Sequence, residues 1–192
     1  MISLIIPALY ANKELMEMTQ RCIDSIGFFN GEIILQVDED GSGYSYTTNR
    51  ALERADGSIL VVGNNDLIFH ENWLVELLFP ISLGCDIATV WTSDQDNIVL
   101  EDRIEYDAKF GSLFAMTRSV YETLGGFDEQ FKGCFTDTDF RRRALDNGFR
   151  IGKNLSSVVH HEAKATYKVT DPDDNEFLKA QMLYEIKHGF LE

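Results

Sequence analysis

Apolar and polar positions fall in blocks along the first third of the chain. Residues 2–6 form a continuous apolar run ended by Pro7, the pattern of a strand buried on both faces of a parallel sheet. Leu15, Met18, Cys22 and Ile26 then recur at helical spacing on one face, with Asn12 as N-cap and Gly27 as the stop. Residues 33–37 predict a second strand, which runs into the turn-forming acidic loop Asp38-Glu39-Asp40-Gly41-Ser42-Gly43. Residues 46–55 predict a helix closed by Asp56-Gly57, and residues 59–62 a third strand that delivers Gly63-Asn64-Asn65-Asp66. This strand-helix-strand-helix-strand order predicts an α/β fold with a right-handed, mostly parallel central sheet flanked by helices. Ligands of such sheets gather beyond the carboxyl ends of the strands, where both polar loops lie.

The pattern is less regular further on. Residues 73–79 predict a helix stopped by Pro80, and residues 86–91 another strand. Residues 93–107 read as loop with room for an edge strand. Residues 113–116 predict a strand and 119–124 a short helix ended by Gly125-Gly126. Thr136-Asp137-Thr138-Asp139 reads as a turn before a helix over about 140–147, and residues 158–161 as a short strand ending in His160-His161. Asp171-Pro172-Asp173-Asp174 is a helix start, with a capping Asp, Pro at the first position and acids that complement the dipole; the helix runs to about residue 187. There is no internal repeat, no low-complexity segment and no linker. Residues 1–168 therefore read as one domain, and residues 169–192 as a C-terminal helix packing on it or extending it.

The 192 residues are 44% hydrophobic, enough for a packed core. The formal net charge of −15 argues against nucleic acid and anionic membranes as partners, although Arg141-Arg142-Arg143 is a local basic run. It suits a cation-using enzyme and equally a protein that is acidic for solubility. Cys22, Cys85 and Cys134 form no disulfide or zinc pattern, which points to a reducing, cytoplasmic setting. No apolar run approaches the roughly 20 residues of a membrane span, and the short apolar N-terminus lacks the basic leader of a signal peptide.

Four groups of residues have chemical capacity. Asp66, at a strand end, suits a hard cation, a helix cap or a solvated turn; Asn64 and Asn65 tolerate the tight backbone before it. Asp38 and Asp40 suit either an ordinary Asp-Gly turn or recognition of a base edge or ribose hydroxyl, with Gly41 and Gly43 allowing close approach of a flat ligand. Asp137 and Asp139 suit either a general base or an acidic cluster at a helix N-terminus. His160 and His161, adjacent in a strand, point to opposite faces, so only one can face a cleft.

Taken in order, these segments resemble the family 2 glycosyltransferases of the GT-A fold over roughly residues 1 to 168. Ser3-Leu4-Ile5-Ile6-Pro7-Ala8 with Asn12 resembles the family's opening strand and loop. Val37-Asp38-Glu39-Asp40-Gly41-Ser42 resembles its Val-Asp-Asp-Gly-Ser element, with one extra acid. Asn49-Arg50-Ala51 through Ala55-Asp56-Gly57 resembles its next helix, and Asn64-Asn65-Asp66 stands at its Asp-x-Asp. Gly125-Gly126-Phe127-Asp128-Glu129-Gln130-Phe131 is the most distinctive match. It is followed by Asp137-Thr138-Asp139-Phe140-Arg141-x-Arg143, with Thr136 where the family has Glu. Val158-Val159-His160-His161 with Thr166 resembles its late metal-binding segment.

The resemblance implies an inverting glycosyltransferase of polysaccharide biosynthesis. It would move a sugar from a UDP-, GDP- or dTDP-sugar to a glycan-type, lipid-linked or protein-glycan acceptor, assisted by Mn2+ or Mg2+. Asp137 would be the general base, and Asp66 and His161 the metal ligands, His161 being preferred to His160 for its distance to Thr166. Pro7, Asp38, Asp40, Asn49, Arg50, Asn64 and Asn65 would line the donor site, Asp40 ahead of Asp38 at the nucleobase. Residues 93–109 and the C-terminal helix would set acceptor specificity. Two other readings use the same residues. A sugar nucleotidyltransferase would carry a Gly-rich, basic loop after the first strand, where this chain has Ala8-Leu9-Tyr10-Ala11-Asn12-Lys13. A non-catalytic nucleotide-sugar or glycan-binding module would bind donor without turnover.

Overall fold

The computed structural model describes residues 1–93, 100–162 and 175–189. Its elements, in order, are β1 (Ile2–Leu9), α1 (Lys13–Ser25), β2 (Glu32–Asp38), α2 (Tyr44–Leu52), β3 (Ile59–Gly63), β4 (Leu67–Ile68), α3 (Trp73–Ser82), β5 (Ile87–Ser93), β6 (Ile104–Tyr106), β7 (Leu113–Thr117), α4 (Arg118–Leu124), α5 (Thr136–Asp146), β8 (Ile151–His161) and α6 (Asn175–His188). The strands form one sheet in the order β2-β1-β3-β7-β5-β8-β4, with β6 paired to β8. The sheet is mixed. β2, β1 and β3 are mutually parallel, as the first third of the sequence predicts. β7 then inserts antiparallel between β3 and β5, and β4 and β6 pair antiparallel with β8.

Alternate residues of the strands feed two cores, one on each face of the sheet. Ile5, Leu60 and Val62 join Phe114, Phe127 and Phe140 under α2, α4 and α5. Leu4, Ile6 and Val61 join Trp73 and Leu77 of α3 and Cys22 of α1 on the other face. At about 25 cal/mol per Å² of apolar surface, each such fully buried side chain stabilises the fold by roughly 1.5–3 kcal/mol.

Both prolines expected to end elements lie inside them. β1 continues through Pro7 to Leu9 because it pairs with β3 only as far as Ile5, so its far end has an open side where a residue without an N–H is tolerated. α3 continues through Pro80 to Ser82. Pro80 cannot bond the Glu76 carbonyl one turn back, and Asn154 Nδ2 of β8 donates to that carbonyl instead at 3.0 Å. α5 begins at Thr136, a turn earlier than the apolar spacing suggests, so Asp137 and Asp139 lie in its first turn rather than before it. β8 spans 11 residues, most of them upstream of the expected short strand. The edge strand anticipated within 93–107 is β6; residues 94–99, Thr166 and the Asp171–Asp174 helix start lie outside the described residues.

Candidate active site

The carboxyl ends of β1, β2 and β3 open into a cavity of about 460 Å³. Pro7 and Leu9 line it from β1, Asp38 from β2, and Asn64, Asn65 and Asp66 from the segment after β3; His161, at the end of β8, closes the far side.

The two loops are built differently. The Asp38 carboxylate is held by its own loop, one oxygen accepting from Ser42 N and the other from Gly43 N, each at 3.0 Å. This folds residues 38–43 into a tight collar. Gly43 adopts φ 98°, and a Cβ there would come within 2.7 Å of the Lys132 carbonyl oxygen, so glycine is required. Asp40 accepts from Ser42 Oγ at 2.8 Å and is exposed, outside the lining of the cavity. Asp38 is the carboxylate of this pair that faces it.

Asp66 is buried, as is Asn65, whose Nδ2 donates to Thr19 Oγ1 of α1 at 2.8 Å and so fixes the turn. Asp66 Oδ1 lies 3.0 Å from His161 Nε2. The orientation does not make a hydrogen bond, and this oxygen is buried without a partner. The register that pairs Leu67 with His161 brings the two residues together, while His160 is exposed. Ser112 Oγ lies 3.2 Å from His161 Nδ1 and 3.3 Å from its Nε2. An unsatisfied buried carboxylate oxygen costs stability unless something else uses it. Two neighbouring donors of an octahedral ion with bonds of about 2.1 Å are about 3.0 Å apart, so the pair suits one edge of such an ion. No group of three or more His, Cys, Asp or Glu among the described residues is arranged to hold a metal. An ion here would draw its other ligands from a bound ligand and water.

Asp137 lies behind this cavity rather than in its lining. Its Oδ2 is 3.1 Å from where a Cβ of Gly111 would stand, and Gly111 precedes the Ser112 that touches His161. Burial pushes the Asp137 carboxyl above the usual range, partly offset by hydrogen bonds from the backbone at Thr138 and at Asp137 itself and from the Thr138 hydroxyl. Tyr44, which lines the cavity, is held as a neutral phenol by burial, with Asp137 and then Asp66 adding to the effect. Tyr44 and the Asp66–His161 pair therefore line the site, with the raised Asp137 carboxyl close enough to act on the Tyr44 phenol. Burial also pushes the Cys22 thiol up to about 12, so it is a packed side chain rather than a nucleophile.

Asn49 and Arg50 are not among the lining residues. Asn49 clamps the turn after α4: its Nδ2 donates to Phe127 O and Glu129 Oε1, and its Oδ1 accepts from Phe127 N, each at 2.9 Å. Arg50 pairs with Glu53 and stacks on Tyr46. The lining also includes residues that sequence reading passed over, chiefly Tyr44, Lys132 and Glu176. Lys132 follows the Gly-Gly-Phe-Asp-Glu-Gln-Phe segment and is the sole Lys or Arg among the lining residues. Glu176 comes from α6, which no local signal ties to the site.

This architecture is the GT-A fold of glycosyltransferases. Similar solved structures are S. aureus TarS 1–349, with TM-score 0.62 and 14% identity over 98% of this chain and 71% of that one, and the same protein in complex with UDP, at 0.61 and 14% over 97% and 70%. GalNAc-T7 with UDP, GalNAc and Mn2+ superposes with TM-score 0.59 and 14% identity over 83% of this chain and 43% of that one. In sequence, the chain is 25% identical over 154 residues to the O-antigen biosynthesis protein RfbC of Myxococcus xanthus, covering 62% of this chain and 12% of that protein. It thus spans a small part of the curated relative it matches. The sequence matches no family model. No helix among the described residues is long and apolar enough to cross a membrane.

Proposed function

We propose that this chain is the catalytic unit of an inverting glycosyltransferase that takes its sugar from a nucleoside diphosphate donor. One observation carries the reading. In a GT-A fold, the Asp38 collar and the Asp66–His161 pair line one cavity, and the Asp137 carboxyl lies against Gly111, next to the Ser112 that meets His161. The structures similar in fold include proteins solved with UDP, and one with Mn2+.

The roles follow from the chemistry of each group. Asp38, with Pro7 and the collar glycines, receives the nucleoside. Asp66 and His161 would hold a divalent ion, Mn2+ or Mg2+, which would supply charge neutralisation of the leaving diphosphate. Lys132 adds the lining's fixed positive charge. Asp137, deprotonated, takes the proton of the acceptor hydroxyl as it attacks the anomeric carbon from the face opposite the leaving group. A single displacement of this kind inverts the anomeric centre. Burial that raises the base's pKa makes it a stronger proton acceptor once ionised.

The donor class is tested by thermal shift with UDP, GDP and dTDP and their sugar derivatives, with and without Mn2+. At 100 times its dissociation constant a ligand of the native state adds about 2.7 kcal/mol. One nucleotide series is expected to raise the melting temperature, more so with Mn2+. No shift with any of the three at millimolar concentration overturns the donor reading.

A further inference from the structure

The C-terminal helix α6 grips the first turn of α5 on both sides of Asp137. On one side stands Phe135, the N-cap residue just before α5. Its backbone is left-handed, φ 62°, a conformation an aromatic residue adopts only when its surroundings enforce it. Its ring packs against α6, on Phe177 at 5.4 Å and Tyr184 at 5.6 Å between centroids. On the other side stands Asp139, which has no exposed surface. Its Oδ1 takes Lys187 Nζ at 2.6 Å and His188 Nε2 at 2.7 Å, both from α6, and its Oδ2 takes Arg143 Nε at 2.7 Å. Lys187 also binds Asp128 at 2.6 Å.

The charges of this knot balance without His188. Asp139 and Asp128 are two negative charges, and Arg143 and Lys187 two positive. Burial acts to raise the Asp139 carboxyl, but His188, Lys187 and Arg143 outweigh it and hold it below the usual range. A buried carboxylate with three donors is a rigid anchor, since losing one partner strands a buried charge. Asp137, between the two grips, has no partner outside its own turn among the described residues.

We propose that α6 is the positioning element of the catalytic turn: Lys187 and His188, acting through Asp139, and Tyr184, acting through Phe135, hold Asp137 in its place in the first turn of α5. The inference rests on the assignment of Asp137 as base for its meaning in catalysis, but its structural content does not. Neither Lys187 nor His188 lines the cavity, so neither is expected to touch donor.

The test compares wild type, Lys187→Met, Lys187→Arg and His188→Leu. The first readout is the titration of the Asp137 carboxyl by carbon NMR, which needs no turnover. Wild type titrates above the ordinary carboxylate range; Lys187→Met and His188→Leu move the titration down toward it as water reaches the loosened turn, and Lys187→Arg leaves it in place. The second is turnover with the donor found by thermal shift. Lys187→Met lowers kcat about tenfold or more with the nucleotide Kd unchanged within about twofold, and the acid limb of the pH–rate profile moves with the titration. His188→Leu does the same more mildly and serves where Lys187→Met does not fold. An Asp137 titration unchanged in a folded variant overturns the proposal, as does a kcat loss matched by equal loss of nucleotide affinity. A shifted titration in a protein that turns over no donor overturns the base assignment and leaves the grip of α6 standing.

Discussion

Asp137→Asn is expected to lower sugar transfer by about 10²–10⁴-fold while leaving donor affinity within about twofold, because a general base acts only on the acceptor proton. The pH dependence adds a sign. The base works deprotonated, so wild-type activity falls as pH falls through the Asp137 pKa, which burial places above the usual carboxylate range. Without that carboxyl, the acid limb disappears along with the rate. Stability responds in the opposite sense to activity. A carboxyl raised in the folded state binds protons more tightly there than in the unfolded chain, so stability drops as pH rises from the unfolded pKa to the folded one. Asparagine, always neutral, escapes this loss, and Asp137→Asn should melt no lower than wild type at pH 7. Near-full transfer activity in the variant would remove Asp137 from the mechanism; a lower melting point with lost donor binding would recast it as structural.

Asp66→Ala is expected to abolish the part of nucleotide binding that depends on Mn2+. The variant removes one of two protein donors that stand 3.0 Å apart. Its effect on metal affinity should exceed the roughly 10–100-fold that loss of an outer hydrogen-bond partner costs a metal site. Isothermal calorimetry of UDP, or of whichever nucleotide stabilises the protein, separates the terms. Wild type binds more tightly with Mn2+ than without, and the variant binds equally weakly in both. His161→Ala should share the phenotype. Asp66→Ala should still fold, since Asp66 Oδ1 is buried without a hydrogen-bond partner and its removal breaks no hydrogen bond of that atom. Unchanged metal-dependent binding in Asp66→Ala would end the metal assignment.

What was legible in the sequence was the part governed by short-range order. The parallel run β2-β1-β3 follows from apolar blocks separated by turn loops, and chain direction alone places Asp38 and Asp66 at the same edge of the sheet. Asn12 caps α1 as its position suggests, accepting from Leu15 N at 2.9 Å. That only one of the two histidines faces the cleft, with His160 exposed, agrees with the alternation of a strand. What escaped depends on partners far along the chain. Pro80 is accommodated by Asn154, which nothing near residue 80 announces. β7 slots antiparallel between β3 and β5, and the register of β8 against β4 brings His161 to Asp66. Asn49 resembles a ligand-binding residue in its motif, yet its amide is committed to the turn at Phe127. The tie between α5 and α6 rests on Asp139, Lys187 and His188, 48 and 49 residues apart, a distance at which periodicity carries no signal.

The most direct test of the account is release of nucleoside diphosphate from UDP-, GDP- and dTDP-sugars incubated with the protein and Mn2+, with and without glycan acceptors. The account predicts slow release from one nucleotide series in water, faster release with a suitable acceptor, and loss of both in Asp66→Ala and Asp137→Asn. Tight donor binding with no release from any of the three series, across a broad panel of acceptors, would contradict it and leave a nucleotide-sugar-binding module in its place.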